Sequence, residues 1–175
     1  MHRHARGARL ASAFSRAEDA IKKSDWDTSL QSDLAQHLCV LLSGHVEAVV
    51  EDILADYALA RGDARLQAAV RRLTDRFQNP RPTTLLDLLS GFDLEWHNRL
   101  EAYFAEDPAR ADALRSVIDN KNKIAHGDDS NVSYYKLRND WYKRVVEILD
   151  FVEDLCLASR SSPGAVVDTP RSTRP

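Results

Sequence analysis

The residues best suited to chemistry form one run, Asp119-Asn120-Lys121-Asn122-Lys123-Ile124-Ala125-His126-Gly127. It sets amides, two cations and an imidazole just ahead of a glycine of the kind that ends helices. Histidine transfers protons near neutral pH, and lysine holds a phosphate oxygen as a point charge. Phosphodiester cleavage by internal attack needs both, a base for the 2′-hydroxyl and positive charge against the phosphate. On a helix Asn122 and His126, four apart, share a face. Lys121 and His126, five apart, lie about 140° from each other around the axis and converge only beside a groove or at a loosened last turn. A histidine at a helix C-terminus is also favourable for structural reasons alone. Residue types and spacing therefore leave a catalytic and a structural reading both open.

Little else in the chain competes with this run. There is no Gly-rich phosphate loop, no dinucleotide fingerprint, no HExxH, no GxSxG and no paired-cysteine site. His2 and His4 sit at the terminus, His37 and His45 are eight apart, and His97 is isolated, so no metal site and no cofactor are expected. Cys39 and Cys156 lie among apolar residues and read as buried free thiols. Lys plus Arg number 24 against 27 for Asp plus Glu, a formal charge of -3. That excludes coating nucleic acid through bulk charge and leaves a local nucleic-acid site open. Trp26, Trp96 and Trp141 are expected in the core or an interface, not in an RNA-binding signature of their own.

The elements that must hold the run are helices. The 175 residues are 43% hydrophobic and 29% charged, globular values with enough chain for one domain. Gly and Pro, six each, fall mostly at boundaries, and between them apolar residues recur every three or four positions. A first stripe over about 6–23 carries Leu10, Phe14, Ala17 and Ile21. The strongest helix is predicted over about 29–60, with Thr28 and Gln31 as a capping box and an apolar face from Leu34 through Leu41 to Tyr57. Gly44 interrupts that helix and suggests close packing or a slight bend. Further helices are expected over about 64–77 (Leu66, Val70, Leu73, Phe77), near 85–89 after a turn NPRPTT in which Thr83 caps, and over about 93–105, 108–125 and 133–158. The fold class that follows is all-α, an up-and-down bundle of four or five main helices with short accessory ones. Residues 1–9 are expected as a basic flexible terminus, 10–158 as the helical domain, and the Pro-, Ser- and Arg-rich 159–175 as a disordered tail. No apolar run approaches a membrane span and the basic N-terminus lacks a signal segment, so a cytoplasmic location is the expectation.

The stretch NKNKIAHG resembles the RNxxAHG signature of the HEPN superfamily, and the context is similar to its RiboL-PSP-HEPN branch. The likeness covers roughly 10–157: LCVLLSGHVEAVVEDIL at 38–54, then the IAHG helix end, a polar loop and VSYYKLRNDWYKRVVEILDFVEDL at 132–155. The resemblance implies an all-α domain, usually a homodimer whose two motif helices line a shared cleft. It also implies either a metal-independent endoribonuclease of toxin–antitoxin, phage-defence or RNA-processing type, or a non-catalytic module that binds RNA or a partner protein such as an antitoxin. The family's histidine and glycine match His126 and Gly127, its polar residue matches Asn122, and its arginine falls on Lys121. Lysine keeps the charge and loses the planar two-pronged grip on phosphate. The family often adds an acidic or polar residue from an earlier helix, for which Glu47 is the candidate, with plain solvent-facing surface as its alternative.

Overall fold

The computed structural model describes residues 2–23, 27–61, 64–74, 77–128, 130 and 132–158. Trp26 and the expected tail 159–175 lie outside them. Within the described residues every element is helical: α1 (His2–Lys23), α2 (Thr28–Ala60), α3 (Ala64–Thr74), α4 (Pro82–Ser90), α5 (Leu94–Glu106), α6 (Pro108–His126), the short α7 (Tyr134–Lys136), a π-helical turn (Leu137–Trp141) and α8 (Tyr142–Ala158). No described helix is long and apolar enough to cross a membrane.

The architecture is organised by α2. Its Leu38, Leu42, Val46, Val49, Val50, Ile53 and Leu54 are all buried, and α1, α3, α6 and α8 pack around it. Fully burying one such side chain contributes about 1.5–3 kcal/mol. This stripe therefore outweighs exposed ion pairs such as Arg115–Asp112. From α6 come Leu114, Val117 and Ile118, and from α8 come Val145, Ile148, Leu149 and Val152. Trp96 and Trp141 are buried, as a core role requires. Both cysteines are buried, and neither forms a disulfide among the described residues. The Cys39 thiol faces the Val117 carbonyl at 3.5 Å, and burial pushes its pKa up to about 12. That thiol fastens α2 to the motif helix as a small apolar group.

Several local expectations are corrected. Helix α1 begins at His2, earlier than the start near residue 6 that periodicity suggests; the segment contains no proline to stop it. Helix α2 is capped by Asp27, whose carboxylate accepts from the Leu30 amide at 2.8 Å, and not by a Thr28–Gln31 box. A carboxylate one residue earlier is the stronger acceptor at the positive end of the helix. Gly44 is not a point of close packing, since a Cβ there would meet nothing within 4 Å. Leu41, placed on the apolar face by periodicity, is 39% exposed. Helix α3 is described as Ala64–Thr74; Leu73 is 45% exposed, and Phe77, expected as the last helical residue, is outside the helix and buried in the core. Thr83 caps nothing: Pro82 opens α4, where its fixed φ and missing N–H cost least. The last helix is interrupted by the π-helical turn.

Candidate functional site

Two turns of α6 carry the NKNKIAHG residues, and their surroundings decide what each can do. The helix starts on Asp107, whose carboxylate caps the Ala109 amide and pairs with Arg144 of α8; the Arg144 guanidinium holds that carboxyl below its ordinary range. Helix α6 is thereby fixed at its origin. It ends at Gly127, where φ 74° and ψ 17° are left-handed. The Gly127 amide donates to the Ile124 carbonyl at 3.2 Å and the Asp128 amide to that of Lys123 at 2.9 Å, closing the last turn. This 6→1 and short-turn pattern needs a residue free of a Cβ penalty, which explains the glycine after the histidine.

His126 is the last helical residue and is exposed. The side chains of His126 and of the half-buried Asn122 make no hydrogen bond to another described residue. The two are therefore not joined in the structural cap that spacing alone allowed, and both keep their polar atoms for another group. Asn120 does serve structure: its amide donates to the Ser116 carbonyl at 2.8 Å and its carbonyl accepts from Ser130 at 3.2 Å, tying the polar loop to the helix.

Lys121 turns away from the exposed end toward the loop before α4. Its Nζ donates to Asn79 Oδ1 at 3.0 Å, and the Asn79 amide donates to Glu47 Oε1 at 3.1 Å. Glu47 on α2 and Lys121 on α6 are thus joined through one asparagine, all three half-buried. Asn79 sits at φ 55°, a conformation that asparagine tolerates better than other side chains. The next residues lock it there. The Arg81 amide donates to the Asn79 carbonyl at 2.7 Å across a tight turn at the buried Pro80, and the Arg81 guanidinium pairs with Asp119 on α6. An ammonium has three donors, so the asparagine fixes Lys121 and leaves two free.

The structure therefore joins Glu47 with Lys121 and puts Asn122 and His126 on the last turns of the same helix. Glu47 is a partner of the loop, not free surface. Sequence reasoning gave no role to Asn79 or Arg81, and named Asp119 only as the first residue of the run. The signal for the first was its place directly before Pro80, where the preceding residue is driven out of the helical region, but nothing in the spacing tied it to residues more than thirty positions away on either side. Among the described residues no group of three His, Cys, Asp or Glu side chains gathers as metal ligands.

No curated protein and no solved structure matches the sequence. The family model for RiboL-PSP-HEPN matches residues 8–158, a span from the first helix through the last that includes Glu47, Asn79 and the whole Lys121–Gly127 run. With that match over most of its length, this all-helical chain belongs to the RiboL-PSP-HEPN family.

Proposed function

We propose that the protein is a metal-independent endoribonuclease that acts as a homodimer, with His126, Lys121 and Asn122 as its reacting groups and Glu47 as a positioning residue. The observation that carries this reading is the division of labour at the end of α6: an exposed imidazole with no partner among the described residues, and a cation immobilised by Asn79 against Glu47. In the reaction, His126 removes the proton of a ribose 2′-hydroxyl. The 2′-oxygen bonds to the adjacent phosphorus, and the bond from phosphorus to the 5′-oxygen breaks. The departing 5′-oxygen takes a proton from the second copy's equivalent imidazole, leaving a 2′,3′-cyclic phosphate and a 5′-hydroxyl. Lys121 offsets the charge that builds on the phosphate, and Asn122 orients a phosphate oxygen. One imidazole on an open surface supplies a base or an acid; two brought across a two-fold axis supply both and shelter the phosphate from water. Toxin, defence or RNA-processing roles, with an antitoxin or processing partner, fit such an activity.

A second reading keeps the same residues as an RNA-binding or dimerisation module. It is favoured by the Lys121–Asn79 bond, which already gives the lysine a structural task. The test incubates the purified protein with a mixed RNA pool and EDTA. Cutting is expected, with Lys121→Ala slowing it severely and Lys121→Arg retaining or raising the rate. Intact RNA, with binding lost in Lys121→Ala, supports the module instead. Sedimentation equilibrium that returns only the protomer mass at tens of micromolar contradicts the dimer.

A further inference from the structure

Where α6 ends, the chain continues to α7, and there it builds a polar concavity. A cavity of about 350 Å³ lies between the last turns of α1 and the start of the final helical segment, lined by Glu18, Lys22, Tyr135, Arg138, Asn139 and Lys143 among others. We propose that this cavity is a subsite for one nucleotide of single-stranded RNA, its base stacked on Tyr135 and its phosphates held by Lys22, Arg138 and Lys143. The proposal rests on the ribonuclease reading and extends it to how substrate is gripped away from the scissile bond.

Four observations carry it. Tyr135 is 77% exposed, whereas its neighbour Tyr134 is anchored inward with its hydroxyl donating to the Phe14 carbonyl at 3.2 Å. An exposed ring beside cations is the pairing that binds bases without regard to sequence. The charge balance is three cations to one carboxylate. Lys22 pairs with Glu18 and the Arg138 Nε stands 3.9 Å from it, while Lys143 is exposed with no ion pair among the described residues. The Arg138 Nε is buried without a hydrogen-bond partner among the described residues, while the guanidinium is held in place by the Tyr134 hydroxyl and by ring contacts with Tyr142 and Phe14.

The π-helical turn gives the cavity its shape. Eight α-helical steps would set Lys143 about 80° around the axis from Tyr135. The turn Leu137–Trp141, wider than an α-helical one, takes up most of that angle and returns both residues to one wall. Tyr135 lies nine positions beyond His126, so their Cα atoms are no more than about 32 Å apart, within reach of a short single strand. Asn139 and the Glu18 carboxylate supply the donors and acceptors that a base edge can meet.

The experiment measures fluorescence anisotropy of a labelled mixed-sequence RNA 12-mer with EDTA in the full-length His126→Ala protein, so that binding is read without cutting. Adding Tyr135→Ala is expected to raise Kd by between about fivefold and 160-fold, and Tyr135→Phe to restore it to within about twofold. Lys143→Gln should flatten the dependence of log K on log salt by about 0.7. With His126 intact, Tyr135→Ala should raise KM while kcat holds. An unchanged Kd in Tyr135→Ala, or no RNA bound by the parent protein, overturns the subsite. If RNA is cut with unchanged KM in Tyr135→Ala, the subsite fails and the ribonuclease reading stands. If Tyr135 governs binding but RNA is never cut, the subsite stands and the ribonuclease reading fails.

Discussion

Replacing Asn79 by glycine isolates what the asparagine does for Lys121. At φ 55° glycine sits without strain, and the backbone N–H that donates to Glu47 is kept. The side-chain hydrogen bond lost is that of Oδ1, the acceptor 3.0 Å from Lys121 Nζ. A hydrogen bond to a charged group is worth about 1.5–3 kcal/mol. If that bond fixes the ammonium where the phosphate charge develops, losing it raises the barrier by up to the same amount, a slowing of roughly 13- to 160-fold. Because the site is half-exposed and water replaces the lost partner, the lower end is expected, about tenfold in kcat. Stability should barely move, since the glycine relieves a left-handed side-chain conformation as it forfeits the bond. Single-turnover cleavage of a defined RNA, alongside a thermal melt, reads both. Asn79→Asp keeps an acceptor and should cut faster than Asn79→Gly. A wild-type rate in Asn79→Gly refutes the claim that this bond positions Lys121. A melting temperature lowered by many degrees refutes the claim that the bond serves the site and not the fold.

Two further outcomes follow from the helices that carry the site. Gly127→Ala should destabilise by about 1–2 kcal/mol in denaturant melts, purely from its left-handed backbone, because a Cβ there meets nothing within 4 Å; an unchanged midpoint contradicts the cap. Cys39 is raised by burial from 9.0 to about 12. Its neutral form is favoured in the folded state, so its contribution is fully present below about pH 9 and is lost as pH rises toward 12. Cys39→Ala should remove that part of the alkaline decline, and native Cys39 should resist thiol reagents until the protein unfolds; rapid labelling of the folded chain contradicts its burial.

The all-α fold was legible because the 3.6-residue rhythm of α2, α6 and α8 matches the residues that are buried, from Leu38 to Leu54 and from Val145 to Val152. The end of α6 was legible because His126-Gly127 carries the chemistry of a left-handed cap. Boundaries set by competing caps were less so: Asp27 outcompetes Thr28, and Pro82 displaces Thr83, in each case through a neighbour one position away. The π-helical turn left no mark on the hydrophobic pattern, since Leu137 and Trp141 keep an ordinary four-residue spacing and are both buried. In the site, Lys121, Asn122, His126 and Glu47 stood out by type and resemblance. The Asn79 bridge between Glu47 and Lys121 was invisible because it is a tertiary contact from a loop, and no local period encodes which helices a loop will touch.

The most direct measurement is of the products and of their dependence on His126. A single defined RNA is incubated with the wild-type protein and with His126→Ala, in EDTA and across about pH 6–9, and both new termini are identified. The account predicts 2′,3′-cyclic phosphate and 5′-hydroxyl ends from the wild type. His126→Ala should lose most of the cutting, with helix content and dimer unchanged, since the residue is exposed at a helix end. Cutting that persists in His126→Ala, requires magnesium, or leaves 5′-phosphate ends would contradict it.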